Sequence, residues 1–65
     1  MKLNAMEVKV LLVEHNLNQA ELAEKAGLSR ITITSLMTGK NGSAESLNKI
    51  AKALNVPVRQ IITVD

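Results

Sequence analysis

The side chains best suited to bind another molecule lie between residues 25 and 44. This window contains the basic residues Lys25, Arg30 and Lys40 and no acidic residue. Hydroxyl and amide groups, which hydrogen-bond to phosphate oxygens and base edges, are frequent in it. They belong to Ser29, Thr32, Thr34, Ser35, Thr38, Asn41 and Ser43. The window favours a nucleic-acid partner, although this pattern alone leaves an ordinary solvated polar surface open.

Catalytic and metal-binding chemistry is not indicated. The chain has no cysteine and a single histidine, His15. No nucleophile is combined with a base and an orienting partner, so we do not expect an enzyme or a small-molecule substrate. One imidazole without a thiol or carboxylate cluster does not predict a metal site, and no cofactor is expected.

Length and composition indicate one small domain over residues 1–65. Apolar residues make up 46% of the 65 residues, which is enough for a core. The net charge of +2 is by itself only weak evidence for a nucleic-acid partner. No apolar run approaches the roughly 18 residues that a membrane span needs, so we expect no membrane partner.

Capping residues and hydrophobic spacing predict an all-α fold. Asn18 stands three residues before Glu21, the spacing at which a cap and an acidic side chain satisfy each other's backbone amides. Gly27 suits the left-handed position that ends a helix, and Ser29 suits the next N-cap. The predicted helices cover residues 5–15, 19–26, 30–38 and 44–54, with a short last one that starts at Pro57.

Residues 30–34 conflict with this pattern, because they alternate and include β-branched residues, as in a strand. We assign them to a helix because Ser29 precedes them and Gly39 follows them. A helical apolar face is also present, made by Ile33, Leu36 and Met37. Residues 61–64 carry the same ambiguity, which the sequence leaves undecided.

The second and third predicted helices are joined by residues 27–29. Ala23 is small enough for a close helix crossing, and Ile33 and Leu36 would pack against the preceding helix. Such a pair leaves the outer face of the third helix free to enter a DNA major groove.

Residues 17–29, LNQAELAEKAGLS, resemble the helix-turn-helix of the Cro/C1-type family of lambdoid phage repressors and Cro proteins. The similarity continues through Ile33, Leu36 and Gly39-Lys40 and through residues 47–56, so it covers about residues 5–62. It implies a five-helix lambda-repressor-like fold with a helix-turn-helix at about 19–38. The function it implies is sequence-specific binding of a double-stranded DNA operator by a transcriptional repressor, in the cytoplasm of a bacterial host and associated with its nucleoid.

The resemblance places base readout on the third helix. Arg30 suits a bidentate contact to guanine, and Ile31 suits a thymine methyl group, although single exposed apolar residues are also ordinary. The helical spacing independently puts Ile31, Thr34, Ser35 and Thr38 on the face opposite Ile33 and Leu36. The residues predicted to read bases are Arg30, Ile31, Thr32, Thr34 and Ser35.

Phosphate contacts are expected at the start of the second helix and after the third. In the family a residue matching Gln19 anchors a phosphate, and the loop that contains Lys40 and Asn41 contacts the DNA backbone. Lys40 could also stabilise the C-terminal end of the third helix through its favourable interaction with the helix dipole, with no DNA present. The predicted phosphate-binding residues are Asn18, Gln19, Ser29, Thr38, Lys40 and Asn41.

Self-association is expected to be weak, or to occur on DNA. Residues 57–64 form the predicted dimerisation segment, with Val58, Ile61 and Ile62 at its centre, because family members often dimerise there. The alternative is that these side chains close the monomer's own core.

An antitoxin, or another protein-interaction module of the same fold, is the alternative function. A co-purifying protein would favour it, whereas basic residues without acidic neighbours favour DNA. The length favours a Cro-like protein, because larger repressors of the family carry a separate C-terminal domain, while a DNA-binding domain taken from a longer repressor stays open.

Overall fold

The computed structural model describes residues 1–63 and is mostly helical. None of the helices in this range is long and apolar enough to cross a membrane. The elements in chain order are β1 (Lys2–Leu3), α1 (Ala5–His15), α2 (Gln19–Ala26), α3 (Arg30–Met37), α4 (Ala44–Leu54), a 3₁₀ turn (Val58–Gln60) and β2 (Ile62–Thr63). Three helices have the predicted bounds, and α3 ends one residue before its predicted end because Thr38 is its C-cap.

Each α-helix begins at a side chain that caps it. The capping box of α2 is present, because Asn18 Oδ1 accepts from the Glu21 amide at 2.8 Å and the Glu21 carboxylate accepts from the Asn18 amide at 2.9 Å. Such caps satisfy backbone amides that lack a partner within the helix. The four N-caps are Asn4, Asn18, Ser29 and Ser43.

The core lies where α4 meets the other elements. Helix α2 packs on both α3 and α4, and α1 packs on α4. Ile33 and Leu36 are buried, which explains why α3 is a helix despite its β-branched residues: tertiary packing outweighs local preference. The largest fully buried side chains are Val8, Leu22, Ile33, Leu47, Ile50, Leu54 and Ile61.

The predicted fifth helix is present only as the 3₁₀ turn that follows Pro57. After it the chain forms β2, which pairs antiparallel with β1 and places Leu3 opposite Ile62. The Asn4 amide donates to the Ile61 carbonyl at 2.7 Å, which ties this segment to the start of α1. The β-branched residues 61–63 favour extended backbone, so the described part of the chain contains four α-helices and a small sheet.

The predicted dimerisation segment needs a correction at Ile61. Its side chain is 0% exposed and belongs to the monomer's core, while Val58 and Ile62 are half-buried against that core. The 3₁₀ turn and β2 turn Ile61 inward, so it offers no surface to a second copy. Val64, at the end of the predicted segment, lies outside the described residues.

Candidate nucleic-acid interface

A tight turn fixes α3 relative to α2. Gly27 has a φ of 72°, and the Leu28 amide donates to the Ala23 carbonyl at 2.9 Å. Glycine adopts this left-handed backbone without a steric penalty, which lets α2 end and α3 begin within three residues. Because Ile33 and Leu36 face inward, the opposite side of α3 faces solvent.

The exposed side of α3 presents a cation, an apolar side chain and a hydroxyl together. Arg30, Ile31 and Thr34 are exposed, and Ser35 is half-buried beside them. Ile31 is 79% exposed, so it contributes little to the core of this monomer. These groups match the donors and apolar contacts that read bases in a major groove.

The hydroxyls of Ser29 and Thr32 are bonded to each other. Ser29 Oγ accepts from the Thr32 amide at 3.1 Å and lies 2.8 Å from Thr32 Oγ1. One of the two hydroxyl protons is used in that contact, and one remains. Since phosphate oxygens only accept hydrogen bonds, Ser29 and Thr32 together have one proton to donate to DNA, not two.

The Thr38 hydroxyl is already committed to the protein. Thr38 Oγ1 donates to the Ser35 carbonyl at 2.8 Å, which closes the end of α3. A hydroxyl has a single proton, so in this conformation Thr38 has none for a phosphate. The geometry argues against the predicted phosphate contact at Thr38.

The start of α2 keeps some donors free of the capping box. Asn18 uses its carbonyl oxygen and its backbone amide there, so its side-chain NH₂ is left for an outside acceptor. The amides of Gln19 and Ala20 are the first two of the helix and have no acceptor within it. An anion is favoured at such a position, although the Glu21 carboxylate beside it opposes one.

The loop after α3 is held by the N-terminal strand, which the sequence did not predict. Lys2 forms an antiparallel bridge with Asn41, and the Gly42 amide donates to the Met1 carbonyl at 3.0 Å. This pairing adds Lys2 to the region of Lys40 and Asn41, both of which are exposed. A two-residue strand has no periodicity to detect, so no signal in the sequence could have found it.

Glu45, the first acidic residue after the basic window, forms an ion pair within α4. Its Oε1 lies 3.5 Å from Nζ of Lys49, one turn further along the helix. An exposed pair of this kind adds little stability. It does offset the charge that would otherwise oppose a phosphate near the loop.

The family model of the Cro/C1-type helix-turn-helix DNA-binding domain matches residues 7–65. The chain belongs to this family. The resemblance read from residues 17–56 is thereby confirmed, and DNA is the partner that a Cro/C1-type domain implies, with transcription regulation as its usual role. A search of curated proteins found no match to this chain.

In this Cro/C1-type domain the predicted site residues fall into two groups. Arg30, Ile31 and Thr34 share the exposed face of α3, and Lys40 and Asn41 stand exposed in the loop that follows. The remaining ones are half-buried or carry hydrogen bonds within the protein, and these are Asn18, Gln19, Ser29, Thr32, Ser35 and Thr38.

Proposed function

We propose that this protein binds a specific double-stranded DNA sequence by placing α3 in the major groove, and that it represses transcription. The observation that carries the proposal is the exposed face of α3, where Ile31 and Thr34 lie away from the buried Ile33 and Leu36 and Arg30 is exposed at the first position of the helix. Helices 2 and 3, residues 19–38, are then the helix-turn-helix.

Base readout in this proposal rests mainly on Arg30 and Ile31, with smaller contributions from the hydroxyl side chains of α3. Arg30 donates two parallel hydrogen bonds to guanine O6 and N7, and Ile31 contacts a thymine methyl group. Thr34, with Ser35 beside it, is small and hydroxylic and suits a groove floor. The Ser29–Thr32 pair supplies one further donor at the N-terminus of α3.

Phosphate contacts position the domain on the duplex. Lys40 and Asn41 would contact one strand, and Gln19, with the first amides of α2, a phosphate on the other side of the groove. A domain bound in this way covers its operator and excludes other proteins from it, which is sufficient for repression. The place of action is the bacterial cytoplasm, where the operator lies.

Two copies are expected on each operator. One domain buries only about 600–1,000 Å² on DNA, which is too little for selectivity in a genome. A two-fold pair doubles the contact, so the operator should be nearly palindromic, with half-sites about 34–36 Å apart.

Lys40→Ala is expected to weaken binding to preferred and random duplexes alike, because a phosphate contact carries no sequence information. The dependence of log K on log salt should become shallower by about one unit. Fluorescence anisotropy on both duplexes over a range of salt concentrations measures this. A change in the preferred sequence would instead place Lys40 against a base.

Selection of bound sequences from a random duplex pool tests the whole proposal, since it detects binding and returns the site. An enriched near-palindrome supports it, and failure to enrich any sequence contradicts it. The antitoxin alternative is favoured by the exposed apolar residues of α1, Val10 and Val13, which could bind a partner protein. A stable complex with a neighbouring gene product, combined with no selected sequence, would support that alternative.

A further inference from the structure

Helix α1 carries an apolar stripe on its solvent side. Met6, Val10 and Val13 are 72%, 46% and 81% exposed, while Val8 and Leu11 of the same helix are buried in the core. Spacings of four and three residues place the three exposed side chains along one line of the helix. We call this line, Met6, Val10 and Val13, the α1 stripe.

Charges of opposite sign flank the α1 stripe. At 3.6 residues per turn, Lys9 lies about 60° to one side of Met6, and Glu14 lies about 80° to the other. Neither side chain has an ion pair or hydrogen bond within residues 1–63. In heptad terms Met6 and Val13 take position d, Val10 takes a, Lys9 takes g and Glu14 takes e.

This pattern distinguishes the two ways in which two copies of α1 could pair. In an antiparallel pair a two-fold axis near Val10 brings position g against g and position e against e, so that Lys9 faces Lys9 and Glu14 faces Glu7, charges of like sign. In a parallel pair position g faces position e of the other helix, five residues further on, so Lys9 faces Glu14 twice. A β-branched residue at position a, here Val10, also suits a parallel pair of helices.

The position of the DNA-binding face favours the same choice. Only residues 16–18 separate the end of α1 at His15 from Gln19, so these two lie within about 14 Å of each other. The proposed DNA contacts at the start of α2 therefore lie near the C-terminal end of α1. Parallel pairing puts both DNA-binding faces at one end of the pair, whereas antiparallel pairing puts them at opposite ends.

We infer that the α1 stripe binds the α1 stripe of a second copy, with the two helices parallel and Lys9 of each copy beside Glu14 of the other. The inference rests on the proposed function, because the pair is expected to form when two copies bind one DNA operator. Three side chains per copy cannot bury the roughly 1,200 Å² of a stable interface, so the free protein is mainly monomeric. When two copies are bound to adjacent half-sites, the contact between them becomes intramolecular. The effective concentration of one α1 stripe near the other is then about millimolar, which is enough for a weak contact to form.

Single cysteines test the contact cleanly because the chain has none of its own. In a parallel pair each stripe residue lies near its counterpart across the two-fold axis. Val10→Cys and Val13→Cys should therefore both give disulfide-linked dimers under mild oxidation, more so with the selected operator present. Asn48→Cys, on the exposed side of α4, is the matched control and should remain monomeric.

Charge reversal tests the orientation. Lys9→Glu and Glu14→Lys should each reduce the ratio of operator affinity to half-site affinity about tenfold, because two attractive contacts become repulsive. An equimolar mixture of the two variants should restore the ratio, since each then meets the opposite charge. Lys52→Glu makes the same charge change on α4 and should leave the ratio unaltered.

Specific outcomes would overturn the inference. Cross-linking of only one of the two cysteine variants would indicate antiparallel pairing, and cross-linking of neither would show that the stripe is not a self-contact. If no DNA sequence is selected, the oxidation is run on millimolar protein alone. Disulfide-linked dimers of both cysteine variants would then support the self-contact even though the proposed DNA binding is wrong. If neither variant forms dimers, the self-contact is wrong as well.

Discussion

Replacing Ile61 with alanine is expected to lower the free energy of unfolding by about 2–5 kcal/mol. The Ile61 side chain is fully buried, so truncation leaves a cavity in the core. The cavity lies beside the paired strands β1 and β2, because the Ile61 carbonyl accepts from the Asn4 amide there. A domain of this length has only about 3–10 kcal/mol of stability in total. Urea unfolding followed by circular dichroism should show a much lower midpoint, or an unfolded variant at room temperature.

Ile31→Ala is the matched control, because it makes the same chemical change at a side chain that is 79% exposed. Its unfolding free energy should stay within about 0.5 kcal/mol of the parent protein, while its affinity for the selected operator falls. An unchanged midpoint for Ile61→Ala would mean that the C-terminal segment is not packed as described. Dimerisation through that segment, with Ile61 at its centre, would then be open again.

The helices could be predicted because their signals are local. Asn18 with Glu21, Ser29 and Ser43 mark starts that depend on side chains only three residues away. The pairing of Lys2–Leu3 with Ile62–Thr63 joins opposite ends of the described chain, and nothing local specifies it. Residues 62–63 favour extended backbone locally, but their partner strand and the burial of the adjacent Ile61 depend on parts of the chain far away in sequence.

The candidate site divides in the same way. Helical spacing correctly placed Ile31 and Thr34 on the exposed face of α3, opposite Ile33. The availability of each hydroxyl could not be predicted, because it depends on a rotamer and on a neighbouring acceptor. Thr38 illustrates this, since its residue type suits a phosphate contact but its proton is given to the Ser35 carbonyl.

Arg30→Ala is expected to lower affinity for the preferred operator about 5- to 150-fold, or about 1–3 kcal/mol. Arg30 is exposed at the first position of α3, and no carboxylate lies between residues 25 and 44 to hold its guanidinium. Loss of its two parallel hydrogen bonds should remove the preference for guanine at one base pair of each half-site. Repeating the sequence selection with the variant would show a flattened position there and unchanged preferences elsewhere.

Arg59→Ala separates this effect from a loss of charge. Arg59 is exposed in the 3₁₀ turn, outside the proposed interface, and its substitution removes the same unit of charge. It should lower affinity slightly and equally for all duplexes, with every base preference retained. If Arg30→Ala behaves like Arg59→Ala, Arg30 contacts a phosphate at most. Sequence readout would then rest on Ile31 and Thr34, whose methyl and hydroxyl groups discriminate less strongly between bases.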